Sequence, residues 1–317
     1  MTMQRRTRLS TVYWSILIFI VAQTLTFLTI SRENEFLKVN HIYIPPSSPE
    51  SVLILPQPVQ PTPPGETQAP AVGALGPILI YFAVVVIVLG IVLFLVPVSA
   101  LRLVLRILFA LSFSWGIFII LIFWLPATAA IIISAAVGVT WIVVPRVWLH
   151  DLVMILTMVS LGAVFGRLIT PWTSMILILT LAVYDFLAVR FGYMLWMVKK
   201  LSESSTLPAF IIPRNAGEWS SSLKESALTR LVEEDPSERE YSILGGGDIG
   251  FPLLLVSSVY FGYGLGSALL VSLFSLLGLI CAYWIQAAFL KGKPMPALPP
   301  IAVLSLIALL IVRYTGI

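Results

Sequence analysis

The chain has 317 residues, 59% of them hydrophobic and 11% charged, with a mean hydropathy of +1.00. A soluble domain carries about 25% charged residues, so this composition excludes an ordinary soluble fold. Apolar stretches of about 20 residues cross about 30 Å of hydrocarbon as helices, which makes the class all-α, polytopic and membrane-embedded. The net charge of +4 speaks to topology and not to nucleic acid, because the basic residues flank the apolar runs.

In chain order the sequence predicts nine spans, roughly Thr11–Ile30, Pro77–Val96, Ala100–Leu125, Ala127–Val144, Asp151–Ile169, Pro171–Val198, Ser242–Tyr263, Gly264–Leu290 and Pro294–Val312. The first follows "MTMQRRTR" and reads as a retained anchor, being too long and lacking a small-residue cleavage site. A Pro-rich loop at about 31–76 separates it from the second and carries no functional motif. The third and fourth are divided by little more than "LPA", and the seventh and eighth by "FGYGLG". Residues 199–241 hold 6 Lys/Arg and 8 Asp/Glu and read as a solvated linker with one short apolar piece, "TLPAFIIP". The chain thus divides into an N-terminal membrane part (1–198), this loop (199–241) and a C-terminal membrane part (242–317). Cys281 is the single cysteine, and His41 and His150 fall near segment ends, so neither a disulfide nor a Cys/His metal site is expected.

Basic residues set the expected orientation. With the N-terminus inside, 15 of the 19 Lys/Arg fall on or toward the inside, leaving Arg32, Lys38, Arg167 and Arg313 outside. The N-terminus and the 199–241 loop are therefore expected in the cytoplasm and the C-terminus beyond the membrane.

Of 15 acidic residues, four lie in the first loop and eight in the 199–241 loop. Asp151 is read as a cap at the start of the fifth span. That leaves Asp185 in "LAVYDFLAV" and Asp248 in "LGGGDIGF". A charge at mid-membrane costs about 2.5–3.5 kcal/mol on insertion scales, so such residues are functional by default. At 1.5 Å per residue, Asp185 lies about 21 Å from the outer end of its span and Asp248 about 9 Å from the inner end of the next. Both fall at similar depth, so consecutive helices can bring the two carboxylates face to face.

Two carboxylates in contact share one proton, and one can then act on a water while the other polarises a carbonyl, as in the aspartic protease dyad. A proton relay in a transporter, or structural pairing of two buried acids, fits the acids alone as well. The glycines shift the balance. Gly245, Gly246 and Gly247 remove side chains beside Asp248, so backbone or water can approach, and they weaken the helix start. In the ninth span Pro294, Pro296, Pro299 and Pro300 are expected to prevent regular helix before about Ile301. The free backbone groups there could pair with an extended substrate.

Tyr184-Asp185, Gly245-Gly246-Gly247-Asp248 and Pro296-Ala297-Leu298 form "YD", "GxGD" and "PAL" motifs in the sixth, seventh and ninth spans. Together they resemble the presenilin/signal peptide peptidase family of intramembrane aspartyl proteases, over the whole nine-span chain and in the family's order. The resemblance implies a catalytic dyad of Asp185 and Asp248, with Pro296, Ala297 and Leu298 shaping the site and holding substrate, and Tyr184 in support. It implies transmembrane-helix protein substrates in a lipid bilayer, water as nucleophile, no metal or organic cofactor, and a chain acting alone or as a homo-oligomer. The charge count puts the 199–241 loop inside, which is the presenilin-like orientation; in a prokaryote the location would be the cell membrane. Gly246 departs from the family, which often has Leu there, so substrate preference does not carry over. In presenilins an apolar part of the long loop blocks the site and is cut during self-activation, and Leu207–Ile212 motivates the same expectation here. A prepilin-type peptidase also uses a GxGD acid, but the "YD" and "PAL" motifs and the nine-span layout argue against it. No internal inverted repeat of the transporter kind is evident by eye.

Overall fold

A computed structural model describes residues 2–40, 98–193, 207–223, 241–288 and 296–315, with scattered positions between 84 and 95 and at 196, 197 and 201. Within them run eight α-helices: α1 (Thr2–Val39), α2 (Val98–Ile122), α3 (Ala127–Val143), α4 (Val147–Leu168), α5 (Pro171–Arg190), α6 (Gly246–Tyr263), α7 (Leu265–Ala288) and α8 (Leu298–Thr315). Six of them (α1, α2, α4, α5, α7 and α8) are long and apolar enough to cross a membrane. The fold is the expected helical membrane bundle, although the described residues do not establish a count of nine spans. Most of the expected second span, Pro77–Val96, lies outside them, as do Pro294 and most of the Pro-rich loop.

Helix α4 is the hub. It packs on α1, α2 and α6, and 14 of its 22 residues are buried. Lipid is as apolar as Leu, so helices in a bilayer associate through close packing at small residues. Gly162 and Gly166 supply it here: a Cβ on Gly162 would lie 3.0 Å from Leu253 Cβ, and one on Gly166 would collide with Ser257 of α6. Helix α6 in turn belongs to two cores. Its Ile249 and Leu253 pack with α1, α2 and α4, while Leu255, Val256 and Val259 pack with α5, α7 and α8. A residue at the start of α6 is therefore fixed from both sides.

Several boundaries differ from expectation. Helix α1 continues past Ile30 to Val39, since nothing in "SRENEFLKV" breaks a helix. Helix α5 opens on an N-cap, Thr170, whose side chain accepts from the Thr173 amide (3.1 Å), with Pro171 at its first position. It ends at Arg190 and not at Val198, because Gly192 takes a left-handed φ of 73°. One residue, Gly264 (φ 95°), divides α6 from α7.

The larger correction concerns the 199–241 loop. The expected all-α fold also holds a two-stranded antiparallel sheet, β1 (Ala209–Pro213) with β2 (Tyr241–Gly245), in a register that pairs Ala209 with Gly245 and Pro213 with Tyr241. Every residue of β1 is buried. A 3₁₀ turn (Ala216–Ser220) follows, and its Trp219 meets Trp14 of α1 edge-on at 5.4 Å. The Leu223 amide donates to Pro145 O (2.8 Å) and the Val147 amide to Ser221 O (3.2 Å). Residues 207–223 are thus built into the end of the bundle and are not a linker.

Candidate active site

Asp185 sits five residues before the end of α5, and Asp248 is the third residue of α6. The two helices pack against each other. Both aspartates are half-buried, and Asp185 is close enough to act electrostatically on Asp248. The two acids singled out in the sequence therefore lie on helices that pack together. The depth count for Asp248 needs revision, because residues 241–245 are strand and the helix starts at Gly246, not at Ser242. Asp248 consequently lies in the first turn of α6, where a carboxylate faces the positive end of the helix dipole.

The start of α8 arrives at the same place. The Leu298 backbone N–H is directed at the Asp185 carboxylate. Leu298 is buried, while Pro296 and Ala297 are half-buried. The prolines do not delay this helix to Ile301. Pro299 and Pro300 occupy its first turn, where no intrahelical N–H is required, so helix begins at Leu298 itself.

The three glycines act by close approach. All have negative φ, since the described glycines with positive φ are Gly192 and Gly264. A Cβ on Gly245 would lie 3.0 Å from Asp248 Oδ2, and one on Gly247 would lie 3.1 Å from the Phe251 ring. One on Gly246 would collide with Met154 Cε and reach within 3.1 Å of Pro208 O. Tyr184 is half-buried and interacts electrostatically with Asp185 and Tyr193. It also lines an open apolar groove with Ile87, Gly90, Leu187 and Tyr193.

Three residues make contacts that sequence reasoning missed. Tyr283 of α7 donates to Ser15 Oγ of α1 (2.6 Å) and faces Asp248 closely enough to interact electrostatically. Nothing in its apolar run "ICAYWIQ" distinguishes it. His150 is not merely a segment end, and Asp151 does not cap α4, whose N-cap is Arg146. Both side chains are buried and bond to β1. The signal for them was the all-apolar "AFIIP" inside a charged loop, which must be covered by something. Among the described residues no group of three or more His, Cys, Asp or Glu could hold a metal ion.

The family description "Signal-peptide peptidase, presenilin aspartyl protease" matches residues 50–315, a stretch containing all three motifs. The chain belongs to this family. Two solved structures, both of a presenilin family intramembrane aspartate protease, share its fold. In the C222 crystal form the TM-score is 0.60 at 16% identity, covering 96% of this chain and 99% of the other. In the P2 form it is 0.54 at 16% identity, covering 95% and 96%. No match was found among curated proteins. The presenilin-type chain is thus an integral, multi-pass intramembrane protease of the aspartic type, acting on transmembrane substrates within a lipid bilayer.

Proposed function

We propose that Asp185 and Asp248 are the catalytic pair and that they hydrolyse peptide bonds within transmembrane segments by activating a water. The observation that supports this is the packing of α5, which carries Asp185, against α6, which carries Asp248 in its first turn, while the other carboxylates in the described candidate spans, Glu33, Glu35 and Asp151, are engaged elsewhere.

The chemistry follows from the shared proton. The ionised aspartate takes a proton from water as its oxygen attacks the scissile carbonyl carbon. The protonated aspartate gives its proton to the carbonyl oxygen, producing a tetrahedral diol. Collapse breaks the C–N bond: the departing nitrogen takes the proton held by the first aspartate, one diol hydroxyl gives its proton to the second, and the pair is restored. A helical substrate hides its peptide bonds, so it must unwind locally. The missing side chains at Gly245, Gly246 and Gly247 leave room for that extended segment, and Pro296, Ala297 and Leu298 form its wall. The Leu298 amide, directed at Asp185, orients one carboxylate. Tyr184 supports the same side.

We further propose that the N-terminus and residues 199–241 face the cytoplasm and the C-terminus the opposite side, because 15 of the 19 Lys/Arg then fall on or toward the inside, with the cell membrane as the location in a prokaryote. The chain works alone or as a homo-oligomer, without metal or cofactor. Self-cleavage within Leu207–Ile212 would have to strip a buried, paired strand from the bundle, so the intact chain is the active form. The transporter and prepilin-type readings have no observation of their own beyond the two acids.

Cleavage of a reporter transmembrane peptide by the purified protein tests the assignment. Asp185→Asn and Asp248→Asn should each remove cleavage in a folded protein, and a transition-state-mimicking aspartyl protease inhibitor should stop the wild type. Cleavage retained by either variant would overturn it.

A further inference from the structure

Outside the catalytic pair, His150 and Asp151 are two buried polar groups that the chemistry does not use. They are consecutive residues of α4, each only 2% exposed. The imidazole is fully accounted for. Trp141 Nε1, which can only donate, points at Nδ1 (3.3 Å), so Nδ1 accepts and the ring proton is on Nε2. Nε2–H then donates to the Ala209 carbonyl (3.0 Å). Asp151 Oδ1 accepts from the Ile211 amide (3.0 Å).

Ala209 and Ile211 are two apart in β1, so their backbone groups point to the same edge of the strand. Pro208, Phe210 and Ile212 point to the other edge, toward β2. The Gly246 amide donating to Pro208 O (3.1 Å) continues that side of the ladder. One donor and one acceptor from α4 therefore occupy the edge of β1 where a third strand would bond. The side chains stand in for that strand.

The connection from β1 to Asp248 is short. Ala209, held by His150, lies opposite Gly245, and the Gly245 backbone contacts the Asp248 carboxylate. Pro208, next to Ala209, takes the Gly246 amide, one of the first-turn N–H groups of α6 that have no partner inside the helix. Asp248 follows two residues later. Asp151 Oδ2 is buried without a hydrogen-bond partner among the described residues. A burial of that kind costs about 1–3 kcal/mol, so packing alone does not favour an acid at this position.

We propose that His150 and Asp151 are positioning residues for Asp248. They fix the edge of β1, β1 fixes the Gly245–Gly246 turn through register, and the turn aims the carboxylate. The inference rests on the assignment of Asp248 to the catalytic pair.

The test is steady-state cleavage of a reporter transmembrane peptide by the full chain in lipid, with thermal unfolding measured on the same preparations. His150→Leu and Asp151→Leu remove the bonds to β1, and His150→Gln and Asp151→Asn restore an N–H donor and an oxygen acceptor at the same reach. A displacement of about 1 Å in a reacting group costs up to about a hundredfold. The Leu variants should accordingly lose about tenfold or more in kcat with KM within about twofold, and the Gln and Asn variants should recover to within about threefold of wild type. If a Leu variant does not purify folded, His150→Asn and Asp151→Ser, which are too short to reach β1, replace it in the same comparison. Wild-type kcat in the folded disrupting variants, or no recovery in the conservative ones, would overturn the proposal. Asp248→Asn in the same panel separates the two readings. If it is inactive while His150→Leu is unimpaired, only the positioning role falls; if it is active, both fall.

Discussion

The two ends of helix α4 hold the same kind of contact and use it differently. At its first turns, His150 and Asp151 reach to a strand some 60 residues further along the chain. At its last turn, Arg167 donates to Glu33 (2.6 Å) and to Asn34 of α1 and stacks over the Phe261 ring of α6 at 4.2 Å. Both clusters are buried and polar, and at 1.5 Å per residue they lie roughly 26 Å apart along the helix. One ends on the turn that carries Asp248. The other clamps α1 against α4 and α6, 13 residues beyond that aspartate on α6. Burial and bond count do not distinguish a positioning contact from a clamp; what lies at the far end of the contact does.

The largest effect that would break this comparison belongs to the acids themselves. Asp185→Asn or Asp248→Asn should lower peptide cleavage by on the order of a thousandfold or more, with an unfolding midpoint no lower than wild type, read in the same detergent. Next is the clamp. Glu33→Ala leaves Arg167 buried without its carboxylate, a change that typically costs about 3–5 kcal/mol. Chemical denaturation should show that loss, while kcat of the surviving folded fraction stays within about twofold. A fall in kcat without a fall in stability would erase the distinction between the two ends.

Gly246→Leu sharpens the picture between these extremes. The added side chain would strike Met154 and crowd Pro208 O, and overpacking of this kind costs about 1–3 kcal/mol. Pairing it with Met154→Ala should return part of the stability in a double-mutant cycle, since the two side chains compete for one space. Additive losses would mean that β1 and α4 do not constrain the turn as described. The smallest effect should come from Ser275→Ala, which removes the Ser275–Ser305 bond (2.8 Å) between α7 and α8. Interhelical bonds of this type are worth about 0.6 kcal/mol in bilayers, so unfolding should shift slightly and cleavage not at all.

Much of the bundle was legible because its signals are local. Apolar length marks the helices, and an acid inside an apolar run stands out as a candidate, as Asp185 and Asp248 do. The "PAL" segment was legible as a place but not as a conformation, because prolines in a first turn look the same as prolines that break a helix. The sheet was not legible. "AFIIP" is too short to separate strand from buried coil by periodicity, and its partner "YSILG" lies at the head of an apolar run that reads as helix. With β1 unseen, Asp151 had no visible partner and was read as a cap. The Glu33–Arg167 pair was hidden for a related reason, since 134 residues separate its members. Composition records that both are charged, and only the fold records that they meet.

The most direct test of the central claim is cleavage of a reporter transmembrane peptide in ¹⁸O-labelled water by wild type, Asp185→Asn and Asp248→Asn, with products read by mass spectrometry. The expected result is a wild-type cut inside the apolar segment, one ¹⁸O in each new carboxyl terminus, and no product from either variant. Product formed by either variant at the wild-type rate would contradict the two-aspartate account.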